Sequence, residues 1–157
     1  MRKTKTWKEA SDSLRLLTDF SDKEPDLKAS ILKSPFHSYL YAKNVIKGRW
    51  PEAECNISSD AAALMYARDV IKGRWEIAER FLAKTPALSY FYAREVVKGR
   101  FELGEKNMAS SSVWLRHYAD LIGALPEKLH AAAALMSFED NERWIQEYFK
   151  KHDKPNG

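Results

Sequence analysis

Three ten-residue segments of this chain are nearly the same: Tyr41-Ala42-Lys43-Asn44-Val45-Ile46-Lys47-Gly48-Arg49-Trp50, then Tyr66-Ala67-Arg68-Asp69-Val70-Ile71-Lys72-Gly73-Arg74-Trp75, then Tyr92-Ala93-Arg94-Glu95-Val96-Val97-Lys98-Gly99-Arg100-Phe101. A decayed fourth copy starts at Tyr118, so the tyrosines stand 25, 26 and 26 residues apart. One period held over that many positions does not arise from composition, and it makes the folding unit a repeated supersecondary element. Punctuation around each copy identifies the element. Seven residues before each tyrosine stands a hydroxyl residue, Ser34, Ser59, Thr85 or Ser111, followed in two copies by Pro35 or Pro86. This is the chemistry of a helix N-cap with proline at the first helical position, where its missing N–H leaves no bond unmade. Seven residues after the tyrosine come Gly48, Gly73 and Gly99, each after a lysine. A glycine there predicts a left-handed helix stop, with the lysine offsetting the negative helix end.

These marks bound a helix of about thirteen residues. Within it Ala62, Ala63, Tyr66, Ala67, Val70 and Ile71 recur at helical spacing and form the expected buried stripe. Beyond the glycine, an aromatic residue leads into Pro51-Glu52-Ala53-Glu54, Glu76-Ile77-Ala78-Glu79 or Glu102-Leu103-Gly104-Glu105, whose acids suit the first turn of a shorter helix. Each repeat therefore reads as a helical hairpin. Neither helix buries its apolar face alone, so the expected fold is all-α, an α-solenoid of stacked short hairpins with atypical capping helices at both ends, and Ala42, Ala67, Ala93 and Ala119 allow close approach. The expected layout is one helical-repeat domain over 1–157. It has an N-terminal cap over 1–33, built on Trp7, Ala10, Leu14, Leu17 and Phe20, and repeats over 34–136. A C-terminal capping helix follows over 137–152, opened by Ser137-Phe138-Glu139-Asp140 and lined by Trp144, Ile145, Tyr148 and Phe149, with a tail over 153–157.

At 157 residues, with 45% apolar and 31% charged, the chain has the balance of a folded helical protein. Charged residues interrupt every apolar run, so neither a signal peptide nor a membrane span is expected, and a cytoplasmic location is. The single cysteine, Cys55, permits no internal disulfide and no cysteine cluster for zinc. The formal charge of +4 is a mild bias, short of the dense one-sided charge of a protein that binds chiefly through phosphates.

The fourteen residues from Tyr41 to Glu54, centred on Ile46-Lys47-Gly48-Arg49-Trp50, resemble a short helical repeat found in proteins of large tailed bacteriophages. The resemblance covers about residues 35–130. It implies a phage origin, action in the host cytoplasm and a helical-repeat fold, and it implies no particular activity. The fourth copy departs from the pattern at Ile122-Gly123-Ala124-Leu125-Pro126-Glu127, where the basic pair is missing.

Two surfaces are candidates for function. The first is the outer side of the long helices, where Leu40 with Lys43, Met65 with Arg68 and Phe91 with Arg94 repeat on one face, an apolar anchor amid charges that suits a protein partner. The bland alternative is that the apolar members tuck against a neighbouring helix. The second is an edge of basic residues and aromatics: Lys47, Arg49 and Trp50; Lys72, Arg74 and Trp75; Lys98, Arg100 and Phe101. Such interleaving can hold RNA or single-stranded DNA by phosphate contact and base stacking. Its structural reading gives the lysine to the helix end, pairs the arginine with an acid such as Glu52, Glu79 or Glu105, and packs the aromatic between hairpins. His37, His117, His130 and His152 show no ligand spacing, and the repeated glycines follow helices rather than open them, the wrong polarity for a phosphate loop. No catalytic residue, cofactor or metal is therefore expected. The leading expectation is a non-enzymatic module that binds a host or phage protein as an inhibitor or adaptor; nucleic-acid binding and self-assembly are the alternatives.

Overall fold

The structure, a computed structural model, describes residues 25–135 and 139–152. Every element among them is helical, as the punctuation predicts. The helix expected over Trp7–Phe20, the Ser137–Phe138 box and the 153–157 tail lie outside the described residues. The chain divides into two compact units, Met1–Ala78 and Glu79–Gly157.

In the first unit, α1 (Pro25–Leu32) is followed by α2 (Pro35–Tyr41), which runs on as a wide π turn over Ala42–Ile46. Next come α3 (Pro51–Ile57) and α4 (Ala62–Tyr66), and α4 runs on as a second π turn over Ala67–Ile71. Helix α2 packs on α1, α3 and α4. Its core is Tyr39, Ala42, Trp50, Ala53, Ile57, Ala62, Ala63, Tyr66 and Ala67, the last two with no exposed surface. Helix α5 (Glu76–Leu82) carries the boundary between units.

The second unit continues with α6 (Pro86–Tyr92) and its π turn over Ala93–Val97, then α7 (Glu102–Met108), α8 (Ser112–Ile122), α9 (Glu127–Leu135) and α10 (Glu139–His152). Helix α6 packs on α7 and α8 around Leu82, Tyr92, Phe101, Met108, Leu115 and Tyr118. Gly104 is small for a packing reason: an added Cβ would sit 2.6 Å from the side chain of Ser89, itself wholly buried and bonded to the Leu82 carbonyl. Ser38 makes the matching bond to Ile31 in the first unit.

The caps follow their chemistry in two copies. Ser34 accepts from the His37 N–H and Thr85 from the Leu88 N–H, each with proline next. Ser111 stands at the N-cap position without a side-chain bond. Ser59 departs from expectation. Its hydroxyl donates back to the Cys55 and Asn56 carbonyls, and the first N–H of α4 goes instead to Asp60. An aspartate one residue on is the stronger competitor for that donor, so this helix starts later than its siblings.

The helix stop is also corrected. The left-handed residue is the lysine, with φ of 56° at Lys47, 59° at Lys72 and 56° at Lys98, whereas Gly48, Gly73 and Gly99 lie outside that region. The Ala42, Ala67 and Ala93 carbonyls each accept from both the lysine N–H and the glycine N–H that follows it. The turn is thus one residue wider than α, and it closes before the glycine is reached. β-Branched pairs, Val45–Ile46, Val70–Ile71 and Val96–Val97, occupy it, residues whose crowding disfavours a tight last turn. The widening carries Val70 and Ile71 out of α-helical phase, so they are half-exposed rather than part of the buried stripe.

A lysine held in the left-handed region carries strain of order 1 kcal/mol that glycine does not. Lys98→Gly is therefore expected to raise stability by about 0.5–1 kcal/mol. Gly99→Ala, with open space where its Cβ would lie, should also raise it. Denaturant melts of the two variants check both signs.

Candidate functional site

The basic and aromatic edge is built around the repeat tyrosine. The Tyr66 hydroxyl accepts from the Trp50 N–H at 2.7 Å and donates to Glu54 at 2.9 Å. Tyr118 does the same with the Phe101 N–H at 2.9 Å and Glu105 at 3.0 Å. Tyr92 donates to Glu79 at 3.0 Å. Each glutamate is buried and held by a basic residue: Arg49 forks onto Glu54 with two bonds of 2.7 Å, while Arg100 and Lys128 both reach Glu105. These bidentate, charge-assisted pairs let a carboxylate stay ionised out of water.

The electrostatics follow from this geometry. The Arg49 guanidinium holds Glu54 below the usual carboxylate range, against the opposing effect of burial. Burial pushes Glu105 up, but the bonds from Arg100, Lys128 and Tyr118 outweigh it and leave it low. Burial next to a carboxylate pushes Tyr66 up to about 12, and Tyr118 is raised as well.

The aromatics expected on this edge face the interior. Trp50 and Trp75 keep 4% and 3% of their surface and Phe101 none, so none offers a face on which a base could stack. Each ring lies 4.9 Å from the tyrosine of its own repeat, Tyr41, Tyr66 or Tyr92. The physical reason is that the residue after the arginine enters the short helix from the core side, with its N–H tied to a buried hydroxyl. Arg49 finds Glu54, the fifth residue on, rather than Glu52, which is taken by Lys28. Arg74 is exposed. Lys47, Lys72 and Lys98 are exposed and make no ion pair among the described residues. What is left of the edge is three lysines.

The outer face divides by unit. In the first, Leu40 is buried and Met65 half-buried, and Lys43 and Arg68 both close on Asp69, at 2.7 and 2.6 Å. The Tyr39 hydroxyl donates to the same carboxylate at 2.6 Å. Arg68 above all, with Lys43 and Tyr39, holds Asp69 far below its ordinary value despite partial burial. In the second unit Phe91 is half-buried and Arg94 lies over its ring at 4.8 Å and over Tyr90 at 5.4 Å. Trp114 approaches Tyr90 and Phe91 at 5.4 and 5.5 Å, and exposed His117 approaches Tyr90 at 5.7 Å. Four rings and a guanidinium thus share one partly solvated patch. Tyr90 and Trp114 were missed from the sequence because they fall outside the repeated apolar column. The signal for Trp114 was its place three residues before His117, one helical turn away.

No protein-family model matches the chain, and no curated protein or solved structure matches it. Among the described residues, no group of three or more His, Cys, Asp or Glu side chains could hold a metal ion, and no helix is long and apolar enough to cross a membrane.

Removing the Tyr118 hydroxyl leaves the buried Phe101 N–H without its acceptor and Glu105 short of a donor. Tyr118→Phe is expected to lower stability by about 1–3 kcal/mol in chemical denaturation. The raised tyrosines and lowered glutamates also set the pH limits. A phenol with a folded value near 12 against 10.0 unfolded contributes stability that is complete below pH 10 and lost as pH rises through 12. A glutamate lowered from 4.5 contributes stability present above pH 4.5 and lost as pH falls below it. Thermal melts across pH should show a plateau between these limits, and Tyr66→Phe should flatten the alkaline side.

Proposed function

We propose that this chain is a non-enzymatic binding module that engages a protein partner through the outer face of α6 and α8. The observation that carries the reading is the patch of Tyr90, Phe91, Trp114 and His117 with Arg94 across their edge. Tyrosine, tryptophan and arginine dominate the energetics of protein interfaces, because rigid rings supply large contact area at small entropic cost. Val113, more than half exposed, extends the apolar surface beside them. The ring pairs are packed before any partner arrives, so little ordering remains to be done on binding.

Stacking of the hairpins into an α-solenoid belongs to the same proposal. It is supported by the repeated tyrosine bond, which in Tyr66 and Tyr118 reaches back to the turn of the preceding repeat. The repeat's resemblance to those of tailed-phage proteins supports a host or phage protein as the target, with the module acting as inhibitor or adaptor in the host cytoplasm. Nucleic-acid binding along the Lys-Gly-Arg edge is the weaker reading, because its aromatics are interior and Arg49 and Arg100 close on glutamates.

The test is quantitative affinity capture of partners from infected cells, comparing the native chain with Arg94→Ala and Phe91→Ser. A specific partner should be recovered in stoichiometric amount, with at least thirty-fold weaker binding for either variant, about 2 kcal/mol or more. Unaltered melting temperatures would show that the fold is intact. Equal binding by both variants would refute the assignment of this face.

A further inference from the structure

Lysine is an unexpected residue for the turns that end the first two π segments. A left-handed position is least strained for glycine, yet Lys47 and Lys72 hold it, at φ 56° and 59°. A glycine follows each, in a backbone region where it is not needed and with nothing within 4 Å of an added Cβ. The requirements of the turn therefore do not explain the lysines. A cation that only offsets a helix end works from any position in the last turn, so that role does not select the strained one either. Repeated strain of this kind is retained where the side chain has another use.

Both lysines line the same groove. It has a volume of about 270 Å³, and its walls are Lys43, Lys47, Gly48, Asp69, Val70 and Lys72. The one acid there is already matched, since Asp69 accepts from Tyr39, Lys43 and Arg68. Lys47 and Lys72 make no ion pair among the described residues, so the groove presents two uncompensated ammoniums over a small concave volume. None of its walls is aromatic, which removes stacking as a means of recognition. Compact concavity and converging point charges favour a small anion of several charges over an extended acidic chain.

We propose that this groove is a binding site for a di- or triphosphate group, with Lys47 and Lys72 clamping its oxygens and Lys43 shared between the ligand and Asp69. The site is separate from the aromatic patch in the second unit, and neither depends on the other. Lysine is suited to this task because its three donors rotate freely around a tetrahedral oxyanion.

The decisive variant is one that the fold itself favours. Lys47→Gly with Lys72→Gly relieves two strained positions, so the doubly substituted full-length chain should melt at the same temperature or higher. Isothermal titration at low salt with tripolyphosphate is expected to show saturable binding by the native chain, weakened at least tenfold in the double variant. Lys98→Gly, whose lysine does not line the groove, should bind as the native chain does. Should the glycine pair fold poorly, Lys47→Asn with Lys72→Asn removes the same charges with a residue that tolerates the left-handed region. Parallel titrations with a short single-stranded RNA and with polyglutamate separate the sources of negative charge. Absence of saturable tripolyphosphate binding, binding unchanged in the double variant, or tighter lysine-dependent binding of RNA or polyglutamate would each overturn the proposal.

Discussion

The fold depends on a buried phenol with two partners. Each repeat tyrosine lacks the room to reach water, so its hydroxyl must be satisfied inside, and the available groups are the N–H at the start of a short helix and the carboxylate one turn along it. Neither partner is adequately paired without the other. The glutamate in turn needs a cation, which arrives from the arginine just before the helix. Five residues separate arginine and glutamate, so the charge pair is local, whereas the tyrosine comes from twelve or thirteen residues further on. A local ion pair is thereby converted into a clamp between one hairpin and the next.

The decayed end of the repeat shows which parts of the clamp are indispensable. At the fourth copy Leu125 takes the aromatic's place and Leu129 the glutamate's, so both charges are gone. The hydroxyl bond persists: Tyr148 of α10 accepts from the Leu125 N–H at 2.6 Å, and its ring meets His130 at 6.0 Å in place of an ion pair. The helix expected only to close the stack thus supplies the tyrosine of a further repeat. Backbone satisfaction is retained after the electrostatic part has been lost, as the large penalty for an orphaned buried N–H requires.

The same clamp decides what the surface can offer. By drawing Trp50 and Phe101 inward by their N–H groups and fastening Arg49 and Arg100 to glutamates, it leaves lysines as the exposed residues of the Lys-Gly-Arg turn. The outer faces of the long helices carry no part of the clamp, and there the repeats diverge. The first unit gathers charges on Asp69, and the second gathers rings around Tyr90. Recognition is assigned to positions free to differ, since those that repeat are occupied with stacking.

Helix type, the approximate ends of the helices and the buried tyrosine column were legible in the residues alone, because periodic apolar spacing and caps act within a few residues of chain. Arg100 pairing with Glu105 was legible for the same reason. The left-handed lysines were not, since the turn is set by how many residues fit before the alanine carbonyl is satisfied, and that count changes when the last turn widens to π geometry. Nor was the groove between Lys47 and Lys72, or the assembly of Trp114 with Tyr90 and Phe91. Those groups lie more than twenty residues apart, and only the packing of one long helix beside the next brings them together.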